Sequence, residues 1–259
     1  MAQNFRHSEI LGIARETGKV TVEGLAAKFN VTAQTIRRDL SDLCDIGQLT
    51  RVHGGATIPS GVIALGYEDR RSLASAEKEA MAKLVAEQIP DGVSIFMNVG
   101  TTTEAVARAL LKHRNLMVVT NNLNVANVLA TSPNSEVILT GGTLRRSDGA
   151  LVGDVTAEFI GQFKVDYAII GSAAVDPDGS LLDYDFREVR VTQAIIKNAR
   201  KAFFVADHTK FNMAAPVRIA SLGELNGFFT DIQPPKSIVQ LCADNDVFIR
   251  TTEHGARKF

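Results

Sequence analysis

From residue 93 onward the chain alternates short β-rich runs with helical stretches, and this pattern constrains the fold more than any other feature. Strand-like runs fall at 93–97, 116–119, 136–139, 167–170, 202–206, 227–230 and 247–249. Helical patterns stand between most of them, at 103–111, 125–130, 157–163, 188–198 and 237–243. Such alternation implies βαβ units and a mostly parallel sheet covered on both faces. A further helix is expected at about 76–89, with Met81, Leu84, Val85 and Ile89 on one face, ending at Pro90-Asp91-Gly92.

The first 56 residues follow a different rule. Ile10, Leu11, Ile13 and Ala14 form a helical stripe ending near Gly18. Thr21 can cap a short second helix that buries Leu25, Ala26 and Phe29, and Asn30 suits the turn after it. Thr32 then caps a third helix whose inward stripe is Ile36, Leu40 and Leu43, spaced i, i+4, i+7. That stripe leaves Gln34, Thr35, Arg37, Arg38 and Ser41 pointing outward. Helix, tight turn, capped helix is the helix-turn-helix pattern, whose second helix enters the major groove of DNA. Gln and Arg can read base edges there, Thr can touch a thymine methyl, and a helix start with Thr32 can hold a phosphate. The next stretch, "GQLTRVHGGATI", reads as a β-hairpin wing with Arg51 and His53 on one face.

Composition limits how such a head can bind nucleic acid. The net charge is −1 over 259 residues, and the first 56 residues carry seven Lys/Arg against six Asp/Glu, a balance of +1. Placement of charge, not its total, must do the work. The chain is 45% hydrophobic and 22% charged, enough for a sizeable core, and its longest apolar runs are strand-sized. No hydrophobic stretch follows the N-terminal charges, so a signal peptide is not expected. Cys44 and Cys242 are read as reduced thiols of a cytoplasmic protein. His7, His53, His113, His208 and His254 are scattered without metal-ligand spacing, and no dinucleotide fingerprint or Walker loop is present. Neither metal nor cofactor is expected.

Parallel sheets bind ligands outside the carboxyl ends of their strands. What stands at those ends is polar and rich in glycine. Gly100, Thr101 and Thr102 open a helix and favour an anion. Asn121 follows the second strand, Gly142 and Arg145 the third, Gly171 and Ser172 the fourth. Asp183 and Glu188 precede the long helix, and Asp207 and Lys210 follow the next strand. Arg and Lys suit phosphate and Asn and Asp suit hydroxyls, so the set fits a small phosphorylated polyol. The plainer alternative is ordinary β-α turns with helix caps, Arg145 and Arg146 being solvated loop charges.

Residue types add a resemblance. "RHSEIL", "LAAKFNVTAQTIRRDLSDL" and "RVHGGA" are similar to the DNA-binding head of the DeoR family of bacterial transcription regulators, over 6–56. "VAEQIPDG", "TNNLNVAN", "DGSLLDYDFREVR", "ADHTKF" and "TDIQPP" resemble that family's sensor domain, over about 76–250. The resemblance implies a winged helix-turn-helix domain at 1–56, a linker at 57–75, and an α/β effector-binding and oligomerisation domain at 76–259 that resembles ribose-5-phosphate isomerase in fold. It implies a repressor that binds double-stranded operator DNA, a dimer or tetramer, and a sugar- or polyol-phosphate inducer, glycerol 3-phosphate the first choice. DNA contacts fall to Thr32, Gln34, Thr35, Arg37, Arg38, Arg51 and His53. The effector falls to Gly100, Thr101, Thr102, Asn121, Gly142, Arg145, Asp183, Glu188, Asp207 and Lys210. Asn98 departs from the family's pattern, which has Asp there, and this bears on pocket charge. An isomerase is the alternative from another class, because Glu188 falls where such enzymes place a base. The lysine- and glycine-rich loop preceding that base is absent here, so no enzyme activity is expected.

Overall fold

The computed structural model describes residues 2–17, 19–45, 49–52, 54–57 and 66–252. His53, residues 58–65 of the expected linker and the last seven residues lie outside them. The chain divides into two compact units, Met1–Ile63 and Ala64–Phe259.

The smaller unit runs α1 (Ala2–Thr17), β1 (Lys19–Thr21), α2 (Val22–Phe29), α3 (Ala33–Asp45), β2 (Thr50–Val52) and β3 (Gly55–Thr57). Thr21 caps α2, its hydroxyl accepting from the Gly24 N–H at 3.1 Å. Asn30 ends α2 in the left-handed region, at φ 51°, a conformation asparagine tolerates better than most residues. Ile36, Leu40 and Leu43 of α3 bury fully against Ile10 and Ala14 of α1 and Leu25 of α2. The wing holds three strands, not the two of a hairpin, in the antiparallel order β1-β3-β2. The "KVT" of β1 was too short to signal in sequence, yet its buried Val20 pairs with Ala56. Gly55 permits this pairing, because a Cβ there would stand 1.9 Å from the Val20 carbonyl oxygen.

The larger unit opens with α4 (Tyr67–Ser72) and α5 (Ser75–Ala86). There follow β4 (Ser94–Met97), α6 (Thr101–Ala109), β5 (Leu116–Thr120), α7 (Leu123–Leu129), β6 (Ser135–Leu139), β7 (Thr143–Arg145), β8 (Ala150–Val152), α8 (Asp154–Ile160) and β9 (Val165–Ile170). The chain ends β10 (Ala174–Val175), β11 (Ser180–Asp183), α9 (Phe186–Lys197), β12 (Ala199–Val205), β13 (Val217–Ser221), β14 (Gly227–Thr230), α10 (Lys236–Asp244) and β15 (Phe248–Thr251). The expected runs become one seven-stranded sheet, β15-β14-β12-β9-β4-β5-β6, with every pair parallel.

Side-chain alternation along each strand feeds two cores. Ile95 and Met97 face Met81, Val85, Val106 and Leu129, while Phe96 faces Ile160, Val191 and Ile195. Helices α5 to α7 thus cover one face and α8 to α10 the other, at roughly 1.5–3 kcal/mol per fully buried large side chain. A hairpin, β7–β8, and an antiparallel sheet, β10-β11-β13, decorate this frame. Both are too short and too interrupted by Gly and Asp to carry a pattern of their own. Helix α4 lies inside the stretch expected as linker, and its side chains bond to the larger unit.

The strand order reverses between β4 and β9. That reversal is a topological switch point, where open α/β sheets leave a crevice for ligands.

Candidate functional site

Two surfaces carry polar chemistry. In the smaller unit, Ile36, Leu40 and Leu43 pin α3 to its core, so Gln34, Arg37 and Arg38 stand exposed. Thr32 accepts from the Thr35 N–H at 3.2 Å, and the two hydroxyls bond to each other at 2.9 Å. The Thr35 methyl thus stays available while its hydroxyl is engaged. Arg51 reaches across from β2 and donates to the Arg37 carbonyl at 3.4 Å, so the wing and α3 share one edge.

Asp39 lies between these arginines and the core, and it restrains neither. It is buried, accepts from Arg6 at 2.5 and 3.0 Å, and stands 3.2 Å from His7 Nε2. Burial opposes its ionisation, but the hydrogen bonds from Arg6 and His7 outweigh this and hold the carboxyl below its usual range. Arg37 and Arg38 are left without an intramolecular carboxylate partner among the described residues.

In the larger unit the switch point is fastened by Asn98. Its Nδ2 donates to the Gly171 carbonyl at 3.0 Å and to Thr192 Oγ1 at 3.3 Å, and its Oδ1 accepts from the Gly171 N–H at 2.9 Å. One amide thereby ties the ends of β4 and β9. A carboxylate could accept from Gly171 but could not donate to it. The departure from the expected Asp therefore serves a joint between strands.

Around that joint stand most of the residues singled out from sequence. Gly100 begins α6 with no side-chain cap, and Thr101 and Thr102 behind it are buried. Asn121 donates to the Leu151 carbonyl at 3.0 Å, which draws β8 over the end of β5. Asn121 Oδ1, Asn122 Nδ2 and Thr140 Oγ1, at the ends of β5 and β6, are buried without a partner among the described residues. Unpartnered buried polar atoms cost free energy, so each of the three is open to a polar partner.

Arg145 is the hub of the acidic side. It grips Asp148 at 2.9 and 2.7 Å and Asp185 at 3.1 Å, and it donates to Glu188. Burial would draw its charge down, but these carboxylates more than restore it. Burial pushes the Glu188 carboxyl up to about 8, with the Asp183 carboxylate adding to the effect, and raises Asp183 as well. Asp207 accepts from the Thr209 N–H at 3.1 Å and from its hydroxyl, which shapes the turn carrying Lys210. Burial lowers the Lys210 ammonium, and its charge is felt by Asp183. Gly142 packs closely against α8, where a Cβ would stand 2.0 Å from Thr156 Oγ1 and 3.1 Å from the Val152 carbonyl oxygen.

Several participants escaped sequence reasoning, Asp148 and Glu104 among them. Arg70 of α4 donates to Asp148 at 3.2 Å, and Tyr67 donates to Glu104 at 2.8 Å. Burial, then Glu104, push the Tyr67 hydroxyl up to about 12. Asn124 donates to Tyr67, Glu104 and the Asp148 carbonyl. Lys78 is buried on α5 and donates to the Leu73 carbonyl at 2.6 Å and to that of Arg70. Burial draws its ammonium down to about 8, with Lys210 and Arg70 adding to this and Asp207 opposing. A signal for Lys78 did exist, since 78, 81, 82 and 85 fall on one helical stripe whose other members are apolar.

A helix-turn-helix head joined to a doubly covered parallel sheet with a charged crevice defines a ligand-sensing DNA-binding regulator. The DeoR-like helix-turn-helix domain matches residues 6–62, and the DeoR C terminal sensor domain matches residues 73–232. The chain belongs to the DeoR family of transcriptional regulators.

It is 44% identical over 247 residues to the glycerol-3-phosphate regulon repressor of Escherichia coli K12, covering 95% of this chain and 98% of that one. The repressor of the same name from Haemophilus influenzae is 44% identical over 234 residues, 90% of this chain and 91% of its own. The transcriptional repressor CsqR of Escherichia coli K12 is 39% identical over 253 residues, 98% and 97% of the two chains. Among solved structures, ribose 5 phosphate isomerase A from Neisseria gonorrhoeae is similar over 52% of each chain, with a TM-score of 0.38 and 15% identity. Among the described residues no helix is long and apolar enough to cross a membrane.

Proposed function

We propose that this chain represses transcription in the cytoplasm as a homo-oligomer, and that a small phosphorylated metabolite, glycerol 3-phosphate first, relieves its hold on operator DNA. The supporting observation is the mix of groups at the carboxyl ends of the strands. The uncapped start of α6 with Thr101 and Thr102, and the ammonium of Lys210, favour phosphate. Asn121, Asp183 and the Arg145–Glu188 pair are groups that bind hydroxyls. A small polyol phosphate matches both kinds of group. The name shared by the two relatives at 44% identity points to the same metabolite.

On the DNA side, Gln34, Thr35, Arg37 and Arg38 face the major groove, Thr32 and Arg51 take phosphates, and His53, outside the described residues, is assigned a DNA contact as well. The effector shifts the equilibrium only by its differential affinity for the free and operator-bound arrangements. Induction by tens-fold corresponds to roughly 2–3 kcal/mol of coupling.

A catalytic reading fares worse. A general base must be free to take a proton, and Glu188 is committed to Arg145. Ribose 5-phosphate should not be turned over by the purified protein.

The deciding experiment is calorimetric titration with glycerol 3-phosphate, then with other sugar phosphates, each followed by release from operator DNA. Lys210→Ala should keep operator binding and blunt induction. Unchanged induction in that variant removes Lys210 from the site.

A further inference from the structure

We propose that Lys78 is a ligand of the effector's phosphate, and that α4 occupies it until the effector arrives. This rests on reading the crevice as a phosphate site.

Lys78 sits on the buried stripe of α5 beside Met81, Ala82 and Val85. A buried ammonium is costly unless something answers its charge. Its hydrogen bonds go to two backbone carbonyls, those of Arg70 and Leu73, at the end of α4. Carbonyls satisfy N–H donors but supply no counter-charge. Among the described residues neither Lys78 nor Lys210 makes an ion pair, and Lys210 Nζ has only the Met213 sulfur at 4.0 Å. The two ammonium groups repel each other. Two cations without a direct ion pair, with Asp207 as the carboxylate whose charge reaches both, and one of them sharing the Arg70 carbonyl with the uncapped start of α6, make a place for an anion.

That place is already in use. The Thr101 hydroxyl, at the start of α6, donates to the same Arg70 carbonyl at 3.2 Å. The donors that a phosphate would take are the donors that now hold the last turn of α4. Phosphate oxygens carry formal charge and carbonyl oxygens do not, so the charge-assisted bonds win. Phosphate binding and α4 docking therefore compete for Lys78 and Thr101. Helix α4 is the first element described in the sensor unit, so the competition acts where that unit begins.

The test uses the full chain, with trypsin as the probe of α4. Between Arg51 and Arg70 the sequence has no lysine or arginine, so cleavage after Arg70 or Arg71 reports on this helix. Glycerol 3-phosphate and inorganic phosphate should each speed that cleavage in the wild type, the former by about tenfold or more. Lys78→Met should weaken calorimetric binding of both by about tenfold or more and cleave fast without ligand. Thr101→Val, which leaves the buried charge alone, should move both readouts the same way by a smaller factor, and it carries the test if Lys78→Met does not fold. Wild-type affinity in either variant overturns the assignment. Binding by the wild type with no change in cleavage overturns the competition while leaving the phosphate site standing. Failure of the wild type to bind either phosphate overturns the phosphate reading itself.

Discussion

The face of α3 and the crevice of the sensor unit solve opposite problems with the same residue types. On α3 the arginines stand exposed and separate, and the helix beneath them is held by Ile36, Leu40 and Asp39. In the crevice the charges are buried and shared, with Arg145 serving three carboxylates and Arg70 serving one of the same three. A surface that reads a large rigid polymer can use independent contacts, each adding its own increment. A pocket that must fit a molecule of a few atoms and then change state needs groups that cannot move one at a time.

The largest departure from that contrast should come from Arg145→Ala. It leaves the buried Glu188 without its cation and the buried Asp148 with Arg70 alone, while Asp185 keeps Arg187, and by the rule for broken buried pairs should cost about 3–5 kcal/mol, read as the loss in unfolding free energy of the sensor unit. A cost within experimental error of zero would mean that the network is not a unit.

Asp39→Ala should cost about 1.5–3 kcal/mol in the smaller unit, the range for hydrogen bonds to charged groups. The Asp39 carboxyl is held low, so its contribution is present above the unfolded value near pH 4 and is lost as pH falls through the lower folded value. Acid titration should therefore steepen the unfolding of the wild-type head more than that of the variant.

Arg38→Ala should weaken operator binding by about 1–3 kcal/mol if it reads a base edge, with effector affinity unchanged in the same preparation. Equal loss of both would place Arg38 in the fold and not on the reading face.

The smallest effect is on pH. With its ammonium drawn down to about 8, Lys78 is charged below that pH and loses its proton above it. Affinity for glycerol 3-phosphate should then decline as pH rises through about 8, whereas operator affinity, resting on arginines, should show no such step. Lys210, Arg70, Asp207 and Glu104 all act on this titration, and Glu188 ionises over the same range, so the decline should be read in Lys78→Arg as well, where it should shrink to the part owed to Glu188.

Legibility in the sequence followed the range of the interactions. The seven strands of the parallel sheet each carry a short apolar run, such as Leu116–Val119 or Ala202–Val205, so each announces itself within five or six residues. Ile36, Leu40 and Leu43 announce α3 for the same reason, by spacing inside one helix. The residues at strand ends could be found because a parallel sheet dictates where to look. Arg70, Tyr67 and Asp148 could not, since Arg70 meets Asp148 across 78 residues and Tyr67 meets Glu104 across 37. Asp39 was legible as a charge near arginines, but its partners at Arg6 and His7 lie over 30 residues back. Polar contacts follow no local period, so only the assembled fold assigns them. Gly142 adds a constraint of its own, a glycine whose close packing against Thr156 only the assembled fold displays.

The buried bond between Asp39 and Arg6 sets a rule for anyone exchanging specificities between repressors of this build. The reading helix is not an interchangeable cartridge. Its outward residues can be rewritten freely, but a transplanted α3 arrives with an inward acid that needs its base on α1. A graft that carries residues 33–45 into a head lacking that base brings a buried carboxylate with no answer. The unit of exchange is α3 together with the start of α1.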